Sequence, residues 1–309
     1  MNTEMPQHIA EFADVALARL TRIGGPQAAL AAETDEQIRE QAGEALSELG
    51  ATELDVRSGG DDLLAAAALC RVAGTVALPY PVVEELLAIS GVRLALVDPK
   101  APRIDHGELP GDWLAADIDL CSYDVELGES HRGKLGPFLA AATLRQRPSP
   151  VLRADVDLHL VLGSWRVLGG IERALHIARE HVTSRTQFGR PLAEFQAVRF
   201  AVADAAVAVA GLDELAKYTL SRLTAVPDGV RSADALMLRL AAVDTARHVL
   251  RTAHQLLGAL GFCDESDVSV IDRHLQPLLR LPLSGELLAV RLAERIAAGH
   301  VETPFWESA

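Results

Sequence analysis

The strongest constraint on this chain lies between residues 155 and 184, where apolar side chains recur at Val156, Leu160, Val167, Ile171, Ala174 and Ala178. That spacing lines one face of a long helix and does not suit a strand. Gly163, Gly169 and Gly170 interrupt the same stretch. Each glycine costs about 1 kcal/mol of helix propensity, so their presence points to close approach by neighbouring helices. Three further helical stretches follow at about 195–223, 232–257 and 286–298. Long helices with short connections predict a C-terminal four-helix bundle within 154–309. The abundance of alanine and leucine, against only 4% aromatic residues, fits the same reading.

Residues 1–91 read as an N-terminal helical domain. Phe12, Val15, Ala16, Leu20 and Ile23 form an amphipathic stripe ending near Gly24-Gly25. A second helix is expected to start at Thr34, with Gln37 three positions on at capping-box spacing. Its stripe is Ile38, Ala42, Ala45, Leu46 and Leu49, and Gly50 ends it. The turn Gly59-Gly60-Asp61-Asp62 leads into a helix over 63–73, and Pro79 and Pro81 precede another over 83–89. Residues 92–153 differ. A strand over 92–97 is followed by Pro99, Pro102, Gly107, Pro110 and Gly111, then by short strands or edges at 118–125 and 138–141. The chain as a whole reads as mainly α, with a reduced β or irregular middle segment.

The net charge is -14, with 43 acidic against 29 basic residues. Such a surface repels phosphate backbones and argues against nucleic acid as a partner. No polybasic segment and no apolar run of about 18 residues occurs, so no membrane association is expected. The polar start MNTEMPQHIAEF predicts no signal peptide. Cys70, Cys121 and Cys263 cannot all pair and form no CxxC, which suits thiols in a reducing, cytoplasmic setting.

Two segments carry a resemblance. Arg185-Thr186-Gln187-Phe188-Gly189-Arg190-Pro191-Leu192-Ala193-Glu194-Phe195-Gln196 resembles the signature R-x-Q-F-G-x-P-[IL]-x-x-F-Q of the acyl-CoA dehydrogenases. It falls between the first two helices of the bundle, as in that family. His254-Gln255-Leu256-Leu257-Gly258-Ala259-Leu260-Gly261-Phe262 resembles the family's Q-x-x-G-G-x-G-[FY] loop, with Ala259 in place of the second glycine. Glu265 stands at the acidic position that often follows. The resemblance covers 154–300 well, 1–91 loosely and 92–153 poorly.

The resemblance implies FAD as cofactor. In the family, one subunit's β-domain holds the isoalloxazine ring while the ADP half reaches a neighbour's bundle. Arg185 would take the pyrophosphate, for which a planar guanidinium fork is suited. Phe188 would pack on the cofactor, Gln255 would bond near the pyrophosphate or ribose, and Gly258 and Gly261 would let backbone amides come close. Taken singly, Arg185 is more often a helix-terminal cation, Phe188 a core residue, Gly258 a helix stop and Gln196 a residue that caps or bridges helices. The two motifs in order are what favour the cofactor reading.

Two family features are missing. The glutamate base occurs either in a turn before the last helix or on the first long helix. In the turn Leu281-Pro282-Leu283-Ser284-Gly285-Glu286, anchoring on Gly285 and Arg291 puts Ser284 at the base position and Glu286 two residues later. Counting back from Arg185 puts His159 at the other location, with Asp157 nearby. Glu286 and His159 are therefore the candidate bases, the first also suited to a helix first turn and the second to packing. The middle segment is short for the family's β-domain. Its tryptophan, Trp113, lies in a Pro-Gly-Asp-Trp turn, and no Ser/Thr-Gly run accompanies it.

By resemblance, then, the chain looks like the smaller subunit of a heteromeric α2β2 acyl-CoA dehydrogenase of the actinobacterial type. It would contribute the ADP-side contacts, while a second acyl-CoA dehydrogenase subunit supplies base and isoalloxazine site. The substrate would be an acyl-CoA, of the steroid-derived kind by resemblance, and the electron acceptor an electron-transferring flavoprotein. Two alternatives stay open: a self-sufficient homo-oligomer using Glu286 or His159, and a scaffold subunit without flavin contact. Either oligomer would need an apolar interface, expected from the Gly163/Gly170 face and from Val202, Val207 and Val209.

Overall fold

The computed structural model describes residues 4–130 and 136–301. The N-terminal helices are α1 Gln7–Thr21, α2 Gly25–Ala32, α3 Glu36–Glu48, α4 Gly60–Thr75 and α5 Val82–Leu86. Five strands follow: β1 Val92–Leu96, β2 Arg103–Asp105, β3 Asp112–Ala116, β4 Ser122–Ser130 and β5 Leu139–Gln146. The long helix α6 Arg153–Ser184 leads into a small hairpin, β6 Thr186–Gln187 and β7 Arg190–Pro191. Then come α7 Gln196–Arg222, α8 Asp228–Leu257, α9 Asp267–Arg280 and α10 Gly285–Ala297.

The fold is mainly helical, as the periodicity predicts. Local chemistry accounts for several boundaries. Asp35, not Thr34, caps α3: its carboxylate accepts the Gln37 amide at 3.0 Å. Asp satisfies an orphan amide as well as Thr does, and Thr34 instead bonds back to the Ala31 carbonyl. Gly24-Gly25 turns the chain straight into α2, where Pro26 occupies the first turn. The middle segment is more regular than its sequence pattern. Its strands form one sheet in the order β1-β3-β4-β5-β2, with β1 parallel to β3 and the other pairs antiparallel. Trp113 sits within β3, buried, beneath the Arg93 guanidinium at 5.5 Å.

α6 is the spine. Val161, Leu162, Trp165, Leu168 and Ile171 are fully buried in one core that reaches from α1 to α10. Where α4 crosses α6, a Cβ on Gly169 would run into the Arg71 carbonyl and one on Gly74 into the Arg166 carbonyl. Two bare backbones in contact is the reason the helix tolerates glycine here. Arg71 locks the crossing, pairing with Glu172 of α6 and Asp213 of α7.

The face expected to meet another chain lies elsewhere. A Cβ on Gly170 would strike Leu275 and one on Gly163 would approach Arg239, so α8 and α9 cover that face within the chain. Val209 is buried as well, whereas Val207 and Phe200 stand exposed on α7.

Candidate functional site

The two motif segments come together at one end of the bundle. Asp157 accepts from Ser232 Oγ at 2.9 Å and from Arg231 Nε at 3.1 Å. Those partners are 75 and 74 residues apart, and Gly163 next to Arg239 gives 239 − 163 = 76. A near-constant offset means that α6 and α8 run parallel. Their C-terminal ends are therefore level, with the hairpin after Ser184 beside the loop after Leu257.

The hairpin is a two-residue type I′ turn, with Phe188 at φ +53° and Gly189 at φ +81°. Glycine adopts this conformation freely, whereas a bulky residue in it is strained by about 1–2 kcal/mol. The Phe188 ring is 89% exposed and meets Phe195 edge to face at 6.2 Å between centroids. Arg190 stacks its guanidinium on the other partner, 4.2 Å from the Phe195 ring centre. Arg185 caps α6 through its backbone: its amide donates to His181 and its carbonyl accepts from Leu192. Its exposed guanidinium makes no hydrogen bond or ion pair among the described residues.

The facing loop is shaped by its glycines. Gly258 ends α8 at φ +61°, ψ −132°, a conformation open to glycine alone. Gly261 lies against α8 so closely that a Cβ would sit 2.7 Å from the His254 carbonyl. The Gly261 carbonyl accepts from Ser269 Oγ at 2.9 Å and faces His254 Nδ1 at 2.5 Å. On its other edge, His254 Nε2 is 3.1 Å from Asp272. With an acceptor at each nitrogen, the imidazolium is favoured. The Asp272 hydrogen bond raises the His254 pKa first, and the Gly261 carbonyl adds to it against partial burial. Gln255, Leu260 and Phe262 are exposed on this loop, Phe262 at 81%. Arg185, Phe188, Gln255 and Gly258 thus lie on one exposed end, free of other intrachain partners at their polar side chains among the described residues. Gly261 is buried beneath them. A free guanidinium, an exposed ring and glycine-defined backbone suit a phosphate-linked, ring-bearing ligand such as the ADP half of FAD.

The candidate bases occupy different places. Glu286 is fully exposed in the first turn of α10, whose cap is Ser284. The local backbone amide and Ser284, aided by Arg247, lower its pKa. This is a helix-capping acid held ionised, and its proton affinity is reduced where a base needs it raised. His159 is buried on α6, its Nε2 3.3 Å from Glu84 Oε1 but off hydrogen-bond alignment. Burial acts to raise the Glu84 carboxyl, but His159 and Arg166 outweigh it and hold it lowered.

Sequence reading missed the cluster around this pair. Glu84, Asp105, His159 and Arg239 line a narrow chamber of about 20 Å3 between α5, α6, α8, α9 and the sheet. Arg239 is 3% exposed, donates one bond to the Leu281 carbonyl, and leaves Nε and Nη1 without protein partners. Burial pushes its pKa down to about 10. The same burial, with Glu84 adding and Arg166 opposing, pushes Asp105 up to about 7. The chamber has room for a water molecule and not for an acyl chain. Arg239 inside the apolar run Ala235-Leu236-Met237-Leu238-Arg239-Leu240-Ala241-Ala242 was the available signal.

Comparisons with known proteins agree with this architecture. Residues 161–279 match the family model of the acyl-CoA dehydrogenase C-terminal domain. Over 119 residues the chain is 37% identical to cyclohex-1-ene-1-carbonyl-CoA dehydrogenase of Geobacter metallireducens, covering 38% of this chain and 30% of that one. The matched segment thus spans about a third of that relative. Among solved structures, the ChsE4-ChsE5 complex from Mycobacterium tuberculosis superposes with a TM-score of 0.78 at 16% identity, over 98% of this chain and 100% of that one. The Tcur3481-Tcur3483 steroid ACAD gives 0.74 at 19% identity, over 95% and 98%. The described residues have the acyl-CoA dehydrogenase fold, and residues 161–279 match the acyl-CoA dehydrogenase C-terminal domain family.

Proposed function

We propose that this chain is the half-site subunit of an FAD-dependent acyl-CoA dehydrogenase. It contributes the ADP-side contacts, and a second acyl-CoA dehydrogenase subunit contributes the base and the isoalloxazine site. The observation that carries this reading is the split between its two ends. The end bearing Arg185, Phe188, Gln255 and Gly258 is exposed, while the chamber that Glu84, His159 and Arg239 line at the junction of bundle and sheet holds only about 20 Å3.

When bound, FAD supplies the hydride acceptor for α,β-dehydrogenation of an acyl-CoA thioester. This chain's part is positional. Arg185 would hold the pyrophosphate, Phe188 would pack on the cofactor, Gln255 would bond near the pyrophosphate or ribose, and Gly258 and Gly261 would let backbone amides come close. Neither Glu286 nor His159 has the surroundings of a thioester α-proton base. The exposed Phe200 and Val207, with the apolar groove lined by Val182, Val198 and Val202, supply surface for the second subunit. The two solved structures above carry paired names, and one is described as a steroid ACAD. That supports an α2β2 assembly, a steroid-derived acyl-CoA as substrate and a role in lipid degradation. An electron-transferring flavoprotein as acceptor follows from the family resemblance, and the three free thiols Cys70, Cys121 and Cys263 suit a reducing, cytoplasmic location. Among the described residues no helix is long and apolar enough to cross a membrane.

The test is Arg185→Ala in the co-purified complex. Flavin per heterodimer should fall with assembly intact by native mass. Full flavin retention and unchanged turnover would favour a scaffold role instead.

A further inference from the structure

A second cationic feature lies apart from the motif residues. Between α8, α9 and the start of α10 a cleft of about 260 Å3 is lined by Arg247, Arg251, His254 and Arg280. Leu250 and Leu279, both buried, form its apolar depth, and the three arginines stand exposed around it. Of the residues assigned to the ADP face, none lines this cleft.

Three of the four basic groups are held in place. His254 is fixed between the Gly261 carbonyl and Asp272. Arg280 donates from Nε to Gln276 Oε1 at 3.1 Å, and Gln276 in turn donates to Asp272 Oδ1 at 2.6 Å. Arg247 packs on Gly285, where a Cβ would come within 3.0 Å of Nη1, lies 3.7 Å from exposed Asp244 and also acts on exposed Glu286. Arg251 has no hydrogen bond or ion pair among the described residues. The one carboxylate in the lining, Asp272, spends both oxygens on His254 and Gln276. Three arginines against one aspartate leave a lining charge of +2, or +3 with His254 protonated, on a chain whose net charge is -14.

Three guanidinium groups lining one cleft, with the only carboxylate of its lining engaged by His254 and Gln276, are matched to an oxyanion of high charge density. We propose that this cleft binds a phosphate dianion, free or as the terminal monoester of a larger molecule. The site is independent of the flavin assignment. Because His254 touches both the cleft and the Gly261 carbonyl, an anion here also holds the loop from Gly258 to Phe262 in its observed shape.

The test is calorimetric titration of the full chain, or of its complex where a partner co-purifies, at fixed ionic strength. Inorganic phosphate and adenosine 3′,5′-bisphosphate are the two probes. Saturable binding at one site per chain is expected, weakened at least tenfold in the double variant Arg251→Ala/Arg280→Ala and unchanged in Arg185→Ala. Both substituted side chains are exposed, and an unchanged melting curve without phosphate confirms the variant is folded. Arg251→Glu should weaken binding at least as far. Equal affinity for both probes identifies free phosphate as sufficient, and tenfold tighter bisphosphate binding identifies a nucleotide monoester. Absence of saturation with both probes, or undiminished binding in the double variant, overturns the proposal. Loss of binding in Arg185→Ala alone would assign the phosphate to the ADP face and also overturn it.

Discussion

His159 Nε2 lies 3.3 Å from Glu84 Oε1, with each side chain about nine-tenths buried. The pair ties α6 to α5 at the wall of the narrow chamber. With Arg166 still acting on it, a Glu84 carboxylate deprived of the imidazole loses at most about 3–5 kcal/mol, the cost of breaking a buried ion pair. His159→Ala should therefore lower stability by that order in a denaturant titration. Turnover per folded complex should change by less than the roughly hundredfold that a general base supplies. A hundredfold loss at unchanged stability would restore His159 as a base.

The α4–α6 crossing makes a sharper structural prediction. Gly169→Ala drives a methyl group into the Arg71 backbone carbonyl, and a backbone atom cannot swing aside as a side chain does. The loss should reach or exceed about 3 kcal/mol, the upper end for an overpacked core. Gly211→Ala, where a Cβ meets nothing within 4 Å, should be neutral or mildly stabilising. Urea unfolding of the two variants side by side distinguishes them.

Phe188 separates stability from ligand contact. Asparagine tolerates the left-handed turn position better than phenylalanine. Phe188→Asn should leave the melting temperature unchanged or slightly higher, because the ring is 89% exposed and contributes little to the core. Flavin retention in the complex should fall. Equal retention would remove Phe188 from the cofactor face.

Asp105 sets a pH dependence. Its carboxyl is pushed up to about 7 by burial, whereas an unfolded chain ionises Asp near 3.9. The folded protein thus holds a proton that the unfolded chain releases. This stabilising contribution is complete below about pH 4 and is lost as pH rises to about 7. Asp105→Asn should gain stability over the parent at pH 8 and show no gain at pH 4. Denaturant midpoints at the two pH values measure the difference.

His254 works in the same direction at higher pH. Its pKa is raised by Asp272 first, so its contribution is complete below about pH 6.5 and is lost as pH rises through the folded value. Asp272→Asn should flatten that decline. Hydrogen exchange of the Gly258–Phe262 amides, slower at pH 6 than at pH 8 after correction for intrinsic rates, reports the same event locally.

What was legible in the sequence depended on whether local chemistry or tertiary context set the outcome. The long helices were readable from period alone, whereas the hairpin after Arg185 emerged only from the structure. The strained φ of Phe188 was not readable, since only the register between Gln187 and Arg190 imposes it. Helix α9 was passed over although Val268, Ile271, Leu275 and Leu278 form a helical stripe. Pro277 reads as a stop, but in the last turn the helix accommodates it. Gly163 and Gly170 signalled close packing correctly, but glycine does not say whether the partner is the same chain, and here it is α8 and α9. The buried set Glu84, Asp105, His159 and Arg239 comes from three separate parts of the chain, and only the fold brings it together.

The most direct test of the half-site assignment is to express the chain alone and together with the full-length acyl-CoA dehydrogenase encoded nearest to it, recording flavin absorbance and native mass for each. The expected result is a colourless or insoluble lone chain and a yellow complex with one FAD per heterodimer. A lone chain that is yellow and oxidises an acyl-CoA contradicts the assignment, and Glu286 would then be replaced before His159 in the search for its base.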